Sequence, residues 1–250
     1  MRLVIPCYNE ERRLRAELVA ELLEDPRIRI LFVDDGSEDG TAALLDRLIA
    51  SSPSGRAARL SLGENRGKAE AVRAGLRCAL DEGEELLGYC DADFATPPSE
   101  LRRLLDHLES SGREVVLGCR VARLGADIDR RMTRHYLGRV FATVASVVLR
   151  LRVYDTQCGA KLFRASPALR RALAVPFRSR WAFDVELLGR LTFGDDDSPG
   201  LGAENMLEVP LDEWQDVGGS KLGSRAMLRA GFDLLSLAAK VGRRGRSAFF

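Results

Sequence analysis

The sequence predicts an α/β protein in which a mostly parallel sheet carries helices on both faces. Two observations indicate this class. In the N-terminal half, short β-branched apolar runs alternate with segments of helical period, which is the pattern of a βαβα chain. The unusual polar runs fall where the predicted strands end, and open sheets of this kind bind ligands outside the carboxyl ends of their strands. The sequence therefore predicts both a fold and the edge that carries its site.

Each element follows from hydrophobic period and flanking residues. Strands are expected at Arg2–Ile5, Ile28–Val33, Ala57–Leu62, Glu85–Cys90, Glu114–Gly118 and Asn205–Val209. Helices are expected at Glu10–Glu24, Gly40–Ala50, Lys68–Asp81, Pro98–Ser110, Arg130–Leu151, Pro167–Ala174, Ala182–Leu191 and Ser224–Val241. The second half is less regular than the first, and the chain contains no internal repeat.

Length and cysteine content narrow the class further. The 250 residues suffice for one large α/β domain, with or without a short appendage. Five scattered cysteines and two histidines argue against a zinc site and fit a reducing cytoplasm. The N-terminus passes directly into a strand, which leaves no room for the apolar core of a signal peptide. We therefore expect a cytoplasmic protein.

The net charge of +1 conceals two basic tracts. The tract from Arg120 to Arg152 holds eight arginines against two aspartates, and the tract from Lys221 to Phe250 holds seven Lys or Arg against one aspartate. Basic surfaces on a nearly neutral protein predict local anionic partners and argue against nucleic-acid binding.

Two acidic turns follow predicted strands. The run Asp34-Asp35-Gly36-Ser37 suits the ribose or base edge of a nucleotide, but it also suits a turn that caps the next helix, and both interpretations remain open. In Asp91-Ala92-Asp93, two carboxylates would repel each other unless a cation or hydrogen-bond donors were nearby. Hard oxygen ligands of this kind favour Mg²⁺ or Mn²⁺, with substrate phosphates and water completing the shell.

Other motifs weigh against competing enzyme classes. Asn65-Arg66-Gly67-Lys68 lies at the start of a predicted helix and could bind an anion there. An ordinary strand-to-helix loop that binds no ligand would show the same sequence pattern. The chain has no Gly-x-Gly-x-x-Gly after its first strand, no Walker lysine motif, no His-Glu-x-x-His and no Gly-x-Ser-x-Gly. A dehydrogenase, a P-loop ATPase and an α/β-hydrolase therefore lose their main support.

Together the motifs resemble the inverting GT-A glycosyltransferases of family two, whose sheet is Rossmann-like and carries a C-terminal acceptor-side extension. Later runs look like dolichyl-phosphate β-glucosyltransferases, with dolichyl-phosphate mannose synthases as near relatives. The runs that carry the resemblance are Ile5-Pro6-Cys7-Tyr8-Asn9-Glu10-Glu11, Val33-Asp34-Asp35-Gly36-Ser37, Asn65-Arg66-Gly67-Lys68, Asp91-Ala92-Asp93, Asp155-Thr156-Gln157-Cys158-Gly159-Ala160-Lys161-Leu162-Phe163, Arg180-Trp181-Ala182-Phe183-Asp184-Val185-Glu186-Leu187-Leu188 and Gly219-Ser220-Lys221-Leu222.

The resemblance implies a donor site. Asp93 would be the principal metal ligand, and Asp91 would face the ribose or the donor phosphate. Ala95 replaces a glutamine that also binds metal in the mannose synthases, so a third protein ligand is not identified. The residues implied for the nucleoside pocket are Pro6, Tyr8, Glu10 and Asp35, with Lys68 beside them. Those implied for the donor sugar and diphosphate are Gln157, Trp181, Asp184, Ser220 and Lys221.

The resemblance also implies an acceptor site. Arg120 and Arg131 would hold an acceptor phosphate, with Arg134 as a third candidate. An acceptor phosphate would need no strong base, whereas for a hydroxyl acceptor Asp184 could be the base. The implied catalytic set is therefore Asp93, Asp184, Arg120 and Arg131.

Several functions remain open at this stage. The leading one is metal-dependent transfer of a hexose, glucose from UDP-glucose in preference to mannose from GDP-mannose, to a polyprenyl or dolichyl phosphate. The alternatives are transfer to a small hydrophilic or phosphorylated acceptor and a non-catalytic nucleotide-sugar-binding module. The catalytic domain would span residues 1–223, divided into a nucleotide-binding half (1–119) and an acceptor-binding half (120–223). Residues 224–250 would form an amphipathic helix and a basic tail.

The relation to membranes has two interpretations. The apolar run Val140–Leu149 is about half of the ~20 residues that cross a bilayer. The helix expected at Arg130–Leu151 could pack into the core with its arginines at the surface, or it could lie on an anionic membrane. A polyprenyl acceptor would then be met peripherally, at the cytoplasmic face.

Overall fold

The structure is a computed structural model that describes residues 1–129, 132–180, 182–195 and 199–217, with backbone alone at residue 129 and at 132–140. Its strands are β1 (Arg2–Cys7), β2 (Arg29–Asp34), β3 (Ala57–Ser61), β4 (Leu86–Cys90), β5 (Val115–Cys119), β6 (Asp127–Asp129), β7 (Ala160–Arg164), β8 (Met206–Pro210) and β9 (Glu213–Gln215). Seven of them form one sheet in the order β3-β2-β1-β4-β7-β5-β8, and β6 pairs with β9.

Helices cover both faces of the seven-stranded sheet, as the sequence predicted. They are α1 (Ala16–Leu22), α2 (Thr41–Ser51), α3 (Lys68–Asp81), α4 (Pro98–Ser111), α5 (Met132–Leu149), α6 (Pro167–Ala172) and α7 (Phe183–Phe193). Alternation along β1 sends Leu3 and Ile5 into a core with α1, α2 and α4, whereas Val4 enters a core with α3, α5, α6 and α7. The α/β class is therefore confirmed.

The strand β7 was not expected. It lies between β4 and β5 and runs antiparallel to both, while the other pairings of the large sheet are parallel. Cys90 at the end of β4 is level with Ala160 at the start of β7. The chain therefore enters β7 at the same edge where it leaves β4.

The first helix begins later than predicted. Instead of helix from Glu10, the chain makes a turn in which Glu10 O accepts the N–H groups of Arg13 and Leu14, each at 2.9 Å. Asn9, just before it, has φ +52°, a backbone conformation that Asn adopts more readily than most residues. The expectation for this segment was wrong because the turn, and not helical period, fixes its first residues.

The helix expected at Arg130–Leu151 is present as α5. Ala145 and Val148 are buried in the core that α5 shares with α7, whereas Val147 is largely exposed. This part of α5 is therefore a core helix with an apolar residue on its outer side. The helix expected at Ser224–Val241 lies outside the described residues. Within the part of the chain that the structure describes, no helix has the length and apolar character needed to span a membrane.

Candidate active site

The polar runs after β1, β2 and β4 meet at one edge of the sheet, because β1 pairs in parallel with both neighbouring strands. Side chains from the run after β2 hold the run after β1. The hydroxyl of Ser37 accepts from the N–H of Asn9 at 3.1 Å, and that of Thr41 accepts from the N–H of Glu10 at 2.8 Å. Asp91 follows β4 directly at this edge.

Asp35 holds the loop between β3 and α3. Its Oδ1 accepts the N–H of Arg66 and its Oδ2 accepts that of Gly67, both at 2.8 Å. Gly36 permits this contact, since its φ is +68° and a Cβ there would lie 2.5 Å from the carbonyl carbon of Glu64. Burial raises the pKa of Asp35, although the two backbone donors oppose the shift. Asp35 therefore shapes the loop beside the pocket expected for the nucleoside.

The first acidic turn does not cap the next helix, because the N-cap of α2 is Gly40. Asp34 Oδ1 accepts the N–H of Ser37 at 3.0 Å, which closes a local turn. Asp39 Oδ1 accepts the N–H of Thr41, the first residue of α2, at 2.9 Å. Neighbouring aspartates thus have different tasks: Asp34 closes a turn, Asp35 holds the loop before α3, and Asp39 also accepts the N–H of Glu11 in the run after β1, at 3.4 Å.

Asp91 and Asp93 each pair with a side-chain cation. Lys68 Nζ lies 2.5 Å from Asp91 Oδ1, and Arg13 Nη2 lies 2.7 Å from Asp93 Oδ2. Asp93 Oδ1 also accepts the N–H of Ala95 at 3.1 Å. The Lys68–Asp91 pair keeps contact with solvent, because the side chains of Asp91 and Lys68 are 35% and 41% exposed.

Burial and neighbouring charges shift the pKa values of Asp93 and Lys68. Burial raises the pKa of Asp93, and the neighbouring carboxylate of Asp91 raises it further. Burial alone would lower the pKa of Lys68, but the carboxylates of Asp91 and Asp184 outweigh burial, so the pKa is raised. Lys68 is therefore a permanent cation near neutral pH.

The carboxylate pair fits a hard divalent cation only in part. Carboxylate oxygens suit Mg²⁺ and Mn²⁺, and the two side-chain cations already here indicate that the carboxylates need positive compensation. Among the described residues, no group of three or more His, Cys, Asp or Glu side chains could hold a metal ion, and Ala95 supplies no side-chain oxygen. Asp91 and Asp93 could therefore hold a cation only together with substrate phosphates and water.

The entry to β7 forms the wall next to Asp91. A Cβ on Gly159 would lie 2.2 Å from Asp91 Oδ2, so the carboxylate rests directly on the glycine backbone. Only glycine permits this approach without moving Asp91. The run from Asp155 to Phe163, singled out as a motif, thus reaches the carboxylate pair because its strand is antiparallel.

Arg120 is held near this wall by Asp155. Its Nε and Nη2 donate to the two carboxylate oxygens at 2.6 and 2.8 Å, and its guanidinium lies 5.2 Å from the ring centre of Trp214. Burial would lower the pKa of Arg120, but Asp155 outweighs burial and raises it. Asp155 also accepts the N–H of Gln157 at 3.1 Å. An arginine expected to bind an acceptor phosphate is therefore already paired in this structure.

Asp184 lies in a buried cluster below the edge. Its Oδ1 accepts from Lys161 Nζ at 2.6 Å and from the hydroxyl of Tyr89. Lys161 is fully buried and also donates to the carbonyl of Cys158 at 2.6 Å. Burial raises the pKa of Tyr89, and the carboxylate of Asp184 raises it further, so the phenol stays a donor. This environment does not fit the base that a hydroxyl acceptor would need.

Some of the other implied residues are described by the structure, and the rest are not. Pro6 lies within β1 and Tyr8 directly after it, both partly exposed, whereas Glu10 is buried. Arg131, Trp181, Ser220 and Lys221 lie outside the described residues, as does the side chain of Arg134. Their roles stay predictions.

Sequence reasoning did not single out Arg13, Tyr89 or Lys161. The sequence does contain a signal for Lys161, because it is a charged residue flanked by the apolar residues Ala160, Leu162 and Phe163. A lysine in an apolar run has a buried partner when that run is a core strand. Nothing in the sequence distinguishes Arg13 from its neighbour Arg12.

Solved structures share this fold. Glucosyl-3-phosphoglycerate synthase from Mycobacterium tuberculosis in complex with UDP superimposes with a TM-score of 0.65, at 18% identity over 95% of this chain and 79% of that one. The same enzyme with Mn²⁺, UDP-glucose and phosphoglyceric acid also gives a TM-score of 0.65. At 18% identity this likeness shows a shared fold, the GT-A fold.

Sequence comparison identifies the family. Residues 3–170 match the family described as Glycosyl transferase family 2, so the chain belongs to that family. A dolichyl-phosphate beta-glucosyltransferase of Dictyostelium discoideum is 32% identical over 240 residues, covering 88% of this chain and 67% of the relative. A polyprenol monophosphomannose synthase of Mycolicibacterium smegmatis is 28% identical over 244 residues, covering 97% of this chain and 87% of the relative.

Proposed function

We propose that this glycosyltransferase transfers glucose from UDP-glucose to a polyprenyl or dolichyl phosphate, with inversion and with a divalent cation. The observation that carries the proposal is the carboxylate pair Asp91 and Asp93 at the end of β4. The charge of each carboxylate is balanced by a basic side chain, Lys68 at Asp91 and Arg13 at Asp93. The named activities of the relatives in Dictyostelium and Mycolicibacterium support a lipid-phosphate acceptor.

The donor would lie across the edge formed by β1, β2 and β4. Pro6, Tyr8 and Glu10 would line the nucleoside pocket, against the loop that Asp35 holds. Lys68, at the first turn of α3, would give a diphosphate a positive charge and a helix N-terminus. A cation held by Asp93 and Asp91 would neutralise charge on the departing nucleoside diphosphate.

The acceptor phosphate would be the nucleophile. Its second pKa is about 6, so near neutral pH its oxygen is mostly ionised and needs no base. A phosphate oxygen attacks the anomeric carbon, the bond from that carbon to the diphosphate oxygen breaks with its electron pair, and the configuration inverts. This reaction agrees with the buried state of Asp184, which would be poorly placed to take a proton.

The remaining assignments rest on the resemblance. Arg131 and Arg134 would hold the acceptor phosphate together with Arg120, whose pairing with Asp155 would also orient it. Gln157, Trp181, Ser220 and Lys221 would complete the donor sugar and diphosphate site.

The test is UDP release from UDP-glucose with Mn²⁺ or Mg²⁺, with and without polyprenyl phosphate in detergent, and with isolation of the glycolipid. We expect lipid phosphate to accelerate release and EDTA to abolish it. Parallel reactions with GDP-mannose test the mannose alternative, since one relative is named as a mannose synthase. If a soluble phosphorylated acceptor accelerates release and no lipid phosphate does, the lipid assignment is wrong.

Peripheral membrane contact belongs to the same proposal. Leu124, before α5, and Val147, on α5, are large apolar residues exposed to solvent, and such residues beside basic ones suit the surface of an anionic bilayer. Sedimentation with vesicles of anionic or zwitterionic lipid tests this. If the protein stays in the supernatant with both kinds of vesicle, membrane contact is contradicted.

A further inference from the structure

Arg13 forms an ion pair with Asp93, the carboxylate to which the proposed function assigns the metal. It lies in the turn after β1, not in a helix, and its Nη2 is 2.7 Å from Asp93 Oδ2. Its Nη1 is 3.5 Å from Glu10 Oε1, so the guanidinium lies between two carboxylates. The Arg13 and Asp93 side chains are 21% and 19% exposed.

A guanidinium and a divalent cation cannot both be close to Asp93 at no cost. Arginine does not lose its proton under physiological conditions, so two positive charges would face each other at the same carboxylate. The guanidinium must move before a metal takes its place. The contact with Glu10 offers a second carboxylate within reach of the same side chain.

We propose that Arg13 is a positioning residue of the metal site: it is the counter-ion of Asp93 in the free protein, and it leaves Asp93 when a cation and a nucleotide-sugar bind together. The inference rests on the proposed function, because it takes Asp93 as the metal ligand. Arg13 keeps the carboxylate compensated and in place while no donor is bound. Metal binding to the free protein is weak for this reason, and the diphosphate of the donor supplies the missing ligands.

The inference predicts a gain of metal binding on removal of Arg13. Arg13→Gln keeps a polar side chain of similar reach but removes the competing charge. We expect the Kd for Mn²⁺ without nucleotide to fall roughly tenfold, within the 5- to 150-fold range of typical coupling between sites. Because the counter-ion is already absent, UDP should improve Mn²⁺ binding less in this variant than in the wild type.

The measurement is the free Mn²⁺ signal in electron paramagnetic resonance during titration, with and without UDP. Arg13→Lys restores the charge and should return the Kd toward the wild-type value, which a merely structural role would not require. Arg12→Gln is the matched control, because Arg12 is an exposed neighbour; it should leave the Kd unchanged. Circular dichroism and thermal unfolding establish that each variant is folded.

The outcomes separate this inference from the proposed function. Adding Asp93→Asn should abolish Mn²⁺ binding in the wild-type and Arg13→Gln backgrounds. If Mn²⁺ binding depends on Asp93 but Arg13→Gln leaves the Kd unchanged or raises it, the role of Arg13 is overturned and the metal site stands. If no protein binds Mn²⁺ even with UDP, or if Asp93→Asn has no effect, both the metal assignment and the role of Arg13 are overturned.

Discussion

Two neighbouring clusters of carboxylates and cations in this protein differ in burial. At the edge, Lys68 pairs with Asp91, and both side chains are more than a third exposed. Below the edge, Lys161 pairs with Asp184, and their side chains are 0% and 7% exposed. Each of these two pairs joins a lysine to an aspartate, so their different tasks must come from their surroundings.

Burial decides whether an ion pair can exchange partners. Water and substrate phosphates can replace Lys68 at Asp91, because both groups remain solvated when they separate. Neither Lys161 nor Asp184 can separate without leaving a charge in an apolar interior. The edge cluster is thus suited to binding ligands, whereas the buried cluster connects β4, β7 and α7.

The largest effect should come from breaking the buried pair. Lys161→Met leaves Asp184 buried without its cation, and we expect a loss of about 3–5 kcal/mol in the free energy of unfolding. Lys68→Met, which breaks the solvated pair, should cost about 0–1 kcal/mol. Urea unfolding measures both. Equal losses for the two variants would remove the distinction between the clusters.

Removing one carboxylate from the edge should affect turnover and not stability. For Asp93→Asn we expect kcat to fall on the order of 10²- to 10³-fold, because a catalytic cation stabilises transition-state charge by several kcal/mol. The unfolding midpoint should stay close to that of the wild type. Asp46→Asn is the control, since Asp46 pairs with Arg59 at an exposed site and its loss should leave kcat unchanged. Full metal-dependent turnover by Asp93→Asn would show that the cation is held elsewhere.

A smaller effect should follow from filling the space at Gly159. In Gly159→Ala, the new Cβ would lie 2.2 Å from Asp91 Oδ2 and push the carboxylate away from the wall. We expect kcat/KM to fall roughly tenfold, less than the ~10²-fold loss that a 1 Å displacement can cause, because the partly exposed side chain can swing aside. Steady-state kinetics with UDP-glucose measures this. Unchanged kinetics would mean that the position of Asp91 is unimportant.

The smallest effect should come from the neutral member of the buried cluster. Tyr89→Phe removes one donor to Asp184 but leaves Lys161 in place, so we expect a loss of about 1–2 kcal/mol in the free energy of unfolding. A double-mutant cycle with Lys161→Met measures the coupling of the two donors. Additive losses would indicate that they act independently on Asp184.

Most of the fold follows from local pattern. The strands β1 to β5 and β8 lie within one or two residues of their expected positions, and α3 spans the predicted Lys68–Asp81. The strand β7 was missed because Lys161 interrupts its apolar run. The contact with Asp184, on α7, makes that lysine compatible with a core strand.

The site was predictable where it depends on strand ends and not where it depends on tertiary contact. Asp91 and Asp93 follow an apolar strand, so their presence at the edge could be expected from order along the chain. The pairing of Asp93 with Arg13 joins segments far apart in sequence, and no local pattern encodes it. The roles of Asp35 and Asp184 likewise depend on partners that only the folded chain brings near.

The position of β7 also has a consequence for how the chain folds. A chain ending at residue 119 would contain β4 and β5 but not the strand that separates them, and the facing backbone N–H and C=O groups would have no sheet partner. Pairings of such large sequence separation are closed slowly. During synthesis, we expect the wall that Gly159 gives Asp91 to form only after Arg164 has emerged and β7 has inserted.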